Sequence, residues 1–406
     1  MTTHAENMHA PETMVRCPIM PTYGPPHVMF VRGDGSQLWD SEGRRYLDFL
    51  SGLAVTSLGH AHPTVALAIS EQARTLLHVS NLFGTEYQAG VACTLDALIA
   101  GDAAPRGQVF FANSGAEANE CAIKLARKWG GRGKHVVVSA WRSFHGRTLA
   151  TLHATGQPEK HEAFQPLPEG FRHAAWNDLD DFARVLDESV AALLLEPVQG
   201  EGGVNPGDPA FFQGLRTLCD ERGILLMLDE VQTGLGRTGK WFGFQHMGIE
   251  PDVVTMAKAL GNGMPIGACW AKAEVAAAFK PGDHATTYGG QPLATAAARA
   301  VLQVMQSIDV PALAAARGES LTKKLNELPG VIGVRGLGLL LGVELDEGVL
   351  AGRLAKDVAS QCLDAGLVLN GITNTALRLA PALTVSEHEI DEAIAILGAV
   401  LHGSAR

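Results

Sequence analysis

Residues 223–267, GILLMLDEVQTGLGRTGKWFGFQHMGIEPDVVTMAKALGNGMPIG, contain the pattern that decides the fold. One apolar run ends at Asp229, and a second strand-like run, PDVVTMA, leads into Lys258 and a glycine-rich turn. Such continuous apolar runs are typical of strands in a parallel sheet that helices cover on both faces. Ligands bind at the carboxyl ends of strands in an open parallel sheet. We therefore expect Asp229 and Lys258 to share one buried crevice.

Short β-rich runs alternate with helical patterns upstream of this stretch. QVFFAN is followed by the helical pattern GAEANECAIKLARKWG, and KHVVVS and AALLLEPV come later. The alternation predicts an α/β domain with a mostly parallel central sheet, which we place at residues 60–300. Residues 1–59 are turn-rich and strand-like, and residues 301–406 mix strands and helices. We expect both chain ends to form one smaller α+β domain.

Length and composition narrow the class of protein. The chain has 406 residues, 46% of them hydrophobic, which suits a packed globular protein of two or three domains. A net charge of −11 without a block of Lys and Arg argues against a nucleic-acid-binding surface. No apolar run reaches the roughly 18 residues of a membrane span. The polar N-terminus and six scattered cysteines without a CxxC pair favour the cytoplasm.

A buried acid and a buried lysine at one sheet edge favour chemistry on an aldehyde cofactor. A lysine that attacks an aldehyde needs a lowered pKa, which burial beside a cationic cofactor supplies. A cofactor that acts as an electron sink needs an acid to keep its ring nitrogen protonated. Taken singly, Asp229 is more simply a satisfied carboxylate at a strand end and Lys258 a surface lysine. Their combination favours the functional interpretation.

A phosphate site is predicted where the run QVFFAN ends and the next helix begins. Ser114, Gly115 and Ala116 lie at this junction. The N-terminus of a helix presents free backbone N–H groups and the positive end of the helix dipole, which together favour a phosphate. A helix that is merely capped by Ser114 gives the same pattern, so the signal is weak by itself.

One segment matches the phosphate-loop motif of nucleotide-binding proteins only in part. Residues 234–240, GLGRTGK, fit the GxxxxGK pattern of nucleotide-binding loops. Trp241 follows, however, where Ser or Thr must bind magnesium, and the aromatic run that it opens is a poor start for the required helix. The sequence therefore disfavours an ATPase or kinase.

The histidine pair in LGHAHP also has two interpretations. His60 and His62 are two residues apart and precede a proline, unlike the i, i+4 pair of a helical zinc site. We expect them to cap the helix that follows. The remaining histidines show no ligand spacing, so we expect no catalytic metal.

Eight sequence blocks occur in order along almost the whole chain: RGDGSQLWDSEGRRYLDFLSGLAVTSLGHAHP, NSGAEANE, FHGRT, LLEPVQGEGG, LDEVQTGLGRTG, AKALGNGMPIG, TTYGGQPLA and LRLAPAL. Together they resemble the class III (subgroup II) aminotransferases that depend on pyridoxal 5'-phosphate (PLP), and within them the acetylornithine aminotransferase group. The resemblance implies the PLP-dependent transferase fold type I, with a large and a small domain. It also implies a homodimer with active sites at its interface.

The resemblance assigns a role to each residue of the cofactor site. Lys258 would hold PLP as a Schiff base, and Asp229 would bind the ring nitrogen. Gln232 would bond the side of the ring that carries the hydroxyl, and the ring would lie between Phe144 and Val231. The phosphate would be bound by Ser114, Gly115, Ala116 and the Thr286–Thr287 segment, with Thr287 reaching across from the other subunit.

The resemblance also implies the substrates. An acylated ornithine, N2-acetyl-L-ornithine in the first place, would give its ω-amino group to 2-oxoglutarate in arginine metabolism, leaving the semialdehyde and L-glutamate. Arg147 and Arg378 would bind carboxylates, a task that suits the two-pronged guanidinium. Glu201 would neutralise Arg378 when the donor has no carboxylate there.

Other donors remain open on the same scaffold. They are 4-aminobutyrate, succinylornithine, succinyldiaminopimelate and free ornithine, and an aminomutase is a further alternative. Leu53 stands where ornithine enzymes have a substrate-contacting tyrosine, which disfavours free ornithine. Gln291 replaces the usual Asn of the YGGN pattern, and Thr286 replaces a more usual Ser.

Overall fold

The computed structural model describes residues 19–403 of the chain. Its strands are β1 (Phe30–Asp34), β2 (Gln37–Asp40), β3 (Arg45–Asp48), β4 (Gly107–Ala112), β5 (Val136–Ala140), β6 (Phe171–Ala174), β7 (Val190–Leu195), β8 (Val198–Gln199), β9 (Asn205–Pro206), β10 (Leu225–Asp229), β11 (Val253–Met256), β12 (Gly267–Lys272), β13 (Val331–Leu337), β14 (Leu340–Leu345), β15 (Leu367–Val368), β16 (Asn370–Gly371) and β17 (Ala376–Leu379).

The α-helices are α1 (Pro63–Thr75), α2 (Gln88–Ala100), α3 (Gly115–Gly130), α4 (Leu149–Ala154), α5 (Leu179–Val185), α6 (Pro209–Arg222), α7 (Ala273–Ala276), α8 (Pro292–Ser307), α9 (Val310–Asn326), α10 (Glu347–Leu350), α11 (Ala355–Asp364) and α12 (Glu387–Leu401). A helical turn at Ser51–Ala54 contains left-handed residues. Short 3-10 turns include Gly243–His246 and Lys258–Leu260.

The central sheet has seven strands in the order β4-β12-β11-β10-β7-β5-β6. Each neighbouring pair from β11 to β6 is parallel, and β12 runs antiparallel to both β11 and β4. Every residue of β7, β10 and β11 is buried, as continuous apolar strands predict for a sheet covered on both faces. The predicted fold class, α/β with a mostly parallel sheet, is confirmed.

Helix α3 packs against the central sheet and begins at the edge where the parallel strands end. Ser114 caps it, because its hydroxyl accepts a hydrogen bond from the backbone N–H of Glu117. The buried face of α3 is formed by small and apolar side chains, among them Ala118, Cys121 and Ala122. The amphipathic pattern thus fixes which face turns inward, and the cap fixes where the helix starts.

Strands from the two ends of the chain meet in one sheet. In the sheet β1-β2-β3-β15, the N-terminal strand β3 pairs in parallel with the C-terminal strand β15, and Leu47 lies opposite Leu367. A second small sheet, in the order β13-β14-β17-β16, is formed by C-terminal strands alone. The last helix, α12, starts after Ser386, whose side chain and that of Glu389 form a capping box.

The GLGRTGK stretch forms a turn between β10 and Gly243–His246, and its arginine joins separate parts of the fold. The guanidinium of Arg237 is buried and donates to the carbonyl oxygens of Leu339 (3.1 Å) and Pro381 (2.5 Å) and to the hydroxyl of Ser57 (3.0 Å). Burial lowers the pKa of Arg237 to about 9. Lys240 is exposed and donates to the carbonyl of Gln245. The stretch therefore has a structural role in this fold.

The prediction that His60 and His62 cap the following helix is wrong. His62 occupies the N-cap position of α1, but its side chain makes no capping hydrogen bond. His60 turns to Asp48 instead, with 2.8 Å between its Nε2 and the carboxylate Oδ2. A buried carboxylate is a stronger partner for imidazole than backbone N–H groups, and Pro63 supplies no N–H at the first helical position.

No helix within residues 19–403 is both long and apolar enough to cross a membrane. In the same part of the chain, five cysteines are free thiols: Cys93, Cys121, Cys219, Cys269 and Cys362. Cys17 lies outside the described residues.

Candidate active site

A cavity of about 400 Å³ lies at the carboxyl edge of the central sheet, a volume that suits a small-molecule site. The loops that follow five strands form its wall. Residues of this wall include Ser114 after β4, Phe144 after β5, Glu196 after β7, Asp229 at the end of β10 and Lys258 after β11. The topology therefore brings together side chains from segments far apart in sequence.

Asp229 is held by three hydrogen bonds at the floor of the cavity. Its Oδ2 accepts from the amide of Asn119 at 2.7 Å and from Nδ1 of His145 at 2.9 Å. Its Oδ1 accepts from the backbone N–H of Val231 at 3.1 Å. Because a carboxylate only accepts, Nδ1 of His145 must carry the hydrogen. These contacts fix the orientation of the carboxylate and leave the acid facing the cavity.

Asn119 and His145 were not identified from the sequence as site residues. Asn119 lies on the buried face of α3, and its Oδ1 accepts from the hydroxyl of Thr255 at 2.6 Å. His145 is two residues before Arg147 in the FHGRT block. Both residues belong to sequence blocks that resemble the family, and this was the signal that could have identified them. Their positions in the sequence did not indicate a contact with Asp229.

Lys258 lines the cavity two residues beyond the end of β11. Its amine makes no hydrogen bond to any other residue of the described range 19–403. Burial lowers the pKa of Lys258 to about 8; Glu201 opposes the shift, and Arg378 adds to it. Its backbone is left-handed, with φ of +39°, an unfavourable conformation for a non-glycine residue that functional sites often retain. The amine is therefore available as a nucleophile near neutral pH.

Phe144 and Val231 both line the cavity, and Gly115 packs against Val231. A Cβ at Gly115 would lie 2.8 Å from Cγ1 of Val231, so only glycine fits at this start of α3. Ser114, Gly115 and Ala116 form the helix N-terminus at this end of the cavity. The apolar walls and the helix start suit a flat ring that carries a phosphate.

Glu201 and Arg378 form an ion pair beside the cavity. Glu201 lies in the loop between β8 and β9, and its Oε1 is 2.5 Å from Nη1 of Arg378 on β17. Burial would raise the pKa of Glu201, but the Arg378 guanidinium lowers it below the usual range. Arg378 is 1% exposed, and its Nη2 has no hydrogen-bond partner within residues 19–403. The guanidinium thus keeps donor capacity for a further acceptor.

Gln232 lies close to this ion pair. Its Oε1 is 3.4 Å from Nη1 of Arg378. A Cβ at Gly200 would come within 1.7 Å of the same Oε1, so any side chain there would displace the amide of Gln232. Gln232 therefore connects the cofactor side of the cavity with the Glu201–Arg378 pair.

Arg147 lies at the exposed mouth of the cavity. Its guanidinium carbon is 5.5 Å from the centre of the Phe144 ring. Within residues 19–403 it forms no ion pair with a carboxylate. An unpaired cation at the mouth of a cavity is suited to binding an anionic substrate.

Glu196 was not identified from the sequence. It is buried on the cavity wall, and its Oε2 accepts from the backbone N–H of Phe144 at 3.1 Å. Burial raises the pKa of Glu196 well above its usual value, and the charge of Asp229 adds to this shift. Glu196 thus positions the backbone of Phe144 from behind.

Thr286 and Thr287 do not line this chain's own cavity. The hydroxyl of Thr286 accepts from the backbone N–H of Gly289 at 3.0 Å, and Thr287 is exposed. Leu53 is also absent from the cavity wall and is 38% exposed, with φ of +69°. Gln291 is buried, and its Oε1 accepts from the backbone N–H of Val79 at 3.1 Å. Gln291 therefore anchors the segment around Val79 to the start of α8.

The fold and this cavity define a class of protein, a PLP-dependent enzyme of fold type I. The aminotransferase class-III family matches residues 19–401, and the chain belongs to this family. It is 51% identical to an acetylornithine aminotransferase of Gloeobacter violaceus over 94% of this chain and 95% of the relative. It is 46% identical to a succinylornithine transaminase of Salmonella paratyphi A over 92% of this chain and 91% of the relative.

Solved structures agree with the family. The ornithine aminotransferase of Toxoplasma gondii superposes with a TM-score of 0.90 at 30% identity, over 97% of this chain and 94% of that one. A Bacillus anthracis aminotransferase superposes with a TM-score of 0.87, also at 30% identity, over 97% of this chain and 98% of that one. The residues present fit PLP: a lysine without a hydrogen bond, a fixed acid, two apolar walls and a helix start surround one cavity.

Proposed function

We propose that this aminotransferase transfers the ω-amino group of N2-acetyl-L-ornithine to 2-oxoglutarate, giving the semialdehyde and L-glutamate in arginine metabolism. The Glu201–Arg378 pair carries the proposal. Glu201 lines the cavity and neutralises the buried guanidinium of Arg378 behind it, so that the cavity can receive an uncharged stretch of donor chain. Relatives at 45–51% identity that are named for acetylornithine support the same donor.

The side chains around the cavity divide the work of the reaction. Bound PLP supplies an electron sink for the bond that breaks at the substrate carbon. Lys258 would hold the cofactor covalently, and its free amine would serve as the general base that moves a proton, a task that its lowered pKa permits. Asp229 would keep a proton on the ring nitrogen. Phe144 and Val231 would fix the ring plane and exclude water.

The same cavity must accept two different partners. Glutamate brings two carboxylates, whereas N2-acetyl-L-ornithine brings one carboxylate and a distant amine. We propose that Arg147 binds a carboxylate in both cases and that Arg378 binds one only when Glu201 has moved away. Leaving the Arg378 guanidinium without a charged partner for the acylated donor would cost roughly 1–3 kcal/mol, which pairing with Glu201 avoids.

We expect Glu201→Ala to separate the two half-reactions. The half-reaction with N2-acetyl-L-ornithine should slow by roughly 10- to 100-fold, because an unpaired buried guanidinium then faces the donor chain. The half-reaction with glutamate should be unchanged or faster, since the acid no longer competes for Arg378. Single-turnover absorbance changes of the enzyme with each donor measure both rates.

A matched control is Glu344→Ala, which breaks the ion pair with Arg335 (2.8 Å) outside the cavity and should change neither half-reaction. If Glu201→Ala slows both half-reactions equally, Glu201 has a structural role and does not distinguish the two donors. A wild-type enzyme that reacts with glutamate but not with N2-acetyl-L-ornithine would refute the proposed donor and leave 4-aminobutyrate and free ornithine to be tried.

We further propose a homodimer in which Thr287 reaches the phosphate site of the other subunit. Thr287 is exposed, and neighbouring Tyr288 is 67% exposed although its ring contacts that of His78. Leu82 and Phe83 are 86% and 65% exposed nearby, in the segment that Asn81 links to the carbonyls of Thr286 and Gly289. An exposed apolar surface of this kind is suited to contact with a second copy.

Subunit mixing tests this arrangement. We expect Lys258→Ala and Thr287→Ala proteins to be impaired separately but to regain about a quarter of the wild-type sites after equal mixing and random reassociation. Each hybrid dimer then has one site with both residues intact. Mixing Lys258→Ala with Asp229→Ala is the control and should restore nothing, because both residues belong to the same subunit's site. A fully active monomer would contradict the proposal.

We propose that residues 60–300 form the cofactor-binding domain and that residues 1–59 and 301–406 form the small domain, of which residues 1–18 and 404–406 lie outside the described part of the chain. The pairing of β3 with β15 supports this division because it joins the two chain ends. We also propose that the enzyme acts in the cytoplasm. Unpaired buried thiols such as those of Cys121 and Cys219 suit a reducing compartment.

A further inference from the structure

Two cations lie near the ring of Phe144, a residue of the cavity wall. The guanidinium carbon of Arg147 is 5.5 Å from the ring centre, and Nζ of Lys160 is 6.0 Å from it. The two positive charges are therefore separated by no more than about twice this distance. Lys160 lies in a 3-10 turn at Pro158–Lys160, and it is not one of the residues assigned to the cofactor or the substrate.

Neither cation forms an ion pair with a carboxylate within the described part of the chain. Lys160 donates one hydrogen bond, to the side chain of Gln157. Exposed Glu159 and half-buried Glu201 attract it through space, but Glu201 is already paired with Arg378. Burial lowers the pKa of Lys160, and the charge of Arg147 adds to this shift. Two close positive charges without a carboxylate partner are suited to an anionic ligand.

Lys160 lines neither cavity itself, but its hydrogen-bond partner Gln157 lines a second one. A second cavity of about 390 Å³ is lined by Gln157, which holds Lys160, and by Trp141 and Thr373. Glu201 lines both this cavity and the one that contains Lys258. The two cavities therefore meet at Glu201, and a donor whose ω-amine is at Lys258 would extend past this residue to reach the second cavity.

Resting on the proposed function, we propose that Lys160 selects the acyl group of the donor. Arg147 binds the α-carboxylate, and Lys160 binds the far end of an N2-acyl group that itself ends in a carboxylate. About six bonds separate the two carboxylate carbons of N2-succinyl-L-ornithine, or roughly 7 Å when extended, which lies within the upper limit that the two ring distances set on the separation of the cations. The acetyl group has no second carboxylate, so it gains nothing from Lys160.

The test compares kcat/KM for N2-succinyl-L-ornithine and N2-acetyl-L-ornithine, with 2-oxoglutarate as acceptor. In Lys160→Gln, which keeps the length and polarity of the side chain nearly intact, the succinyl-to-acetyl ratio should fall about tenfold as one charge-assisted contact is lost. Lys160→Arg keeps the charge and should keep the ratio within about twofold. Lys240→Gln removes another lysine that donates a single hydrogen bond, and should leave the ratio unchanged.

Different results would contradict the role of Lys160 and the proposed function of the enzyme. If the acetylated donor reacts but Lys160→Gln leaves the ratio unchanged, or lowers both values equally, Lys160 does not select the acyl group. A wild-type enzyme that rejects the succinylated donor while accepting the acetylated one also overturns the inference. If neither acylated donor reacts although glutamate does, the proposed function itself is wrong.

Discussion

Replacing Lys258 with alanine is expected to reduce transamination by at least about 10⁴-fold, because it removes both the covalent holder of the cofactor and the general base. Lys258 is the one lysine on the wall of the cavity within residues 19–403. Burial already brings its pKa to about 8, so part of the amine is neutral near neutral pH, far more than for an exposed lysine. No neighbouring amine is placed to take over either task.

The loss can be measured in two ways. Borohydride reduction should fix the cofactor to a peptide that contains Lys258 in the wild type and to no peptide in the variant. Small added amines should restore part of the rate to Lys258→Ala, because they can enter the space left by the side chain, whereas Lys258→Arg fills that space and should not respond. Residual turnover above about 1% without added amine would rule out the assigned role.

Asp229→Ala should lower turnover by roughly 10²- to 10³-fold while the protein still binds PLP, since the phosphate and ring walls remain. The reason is electrostatic. Three hydrogen bonds hold the carboxylate of Asp229 so that it faces the cavity, and an alanine side chain cannot stabilise a proton on the ring nitrogen. Steady-state rates and cofactor absorbance at matched occupancy separate catalysis from binding.

Asn119→Ala is the companion variant, because it removes one hydrogen bond to Asp229 but keeps the acid. We expect a smaller loss, of about tenfold, from a carboxylate that is oriented less firmly. If Asp229→Ala instead loses the cofactor entirely and regains full rate when saturated with PLP, Asp229 serves binding rather than catalysis.

The central fold could be predicted from the sequence because its strands are locally distinctive. The runs ending at Asp229 and Lys258 are almost uniformly apolar, and the helix after Ser114 has a clear amphipathic pattern. Both patterns depend on residues that are close together in the chain, so hydrophobic periodicity is enough to detect them. Because both strands end at the same edge of the sheet, the topology alone predicts that the acid and the lysine line one cavity.

The partners of the acid could not be predicted in the same way. Asn119 and His145 are 110 and 84 residues from Asp229, and nothing in their local patterns specifies a hydrogen bond over that distance. The same limit explains His60, whose neighbours suggested a helix cap although Asp48 lies within reach in three dimensions. The role given to Thr287 depends on a second chain and stays a prediction.

The pairing of β3 with β15 has a consequence for biosynthesis. Leu47 and Leu367 lie opposite each other, and the Arg44 guanidinium bonds the carbonyl of Asp364, 320 residues later. At ribosomal rates the early strands wait on the order of tens of seconds for their partner. Exposed strand edges can pair with other chains during such a delay. A nascent chain stalled before residue 367 should therefore need chaperone protection at its N-terminal strands, even where its central sheet has already folded.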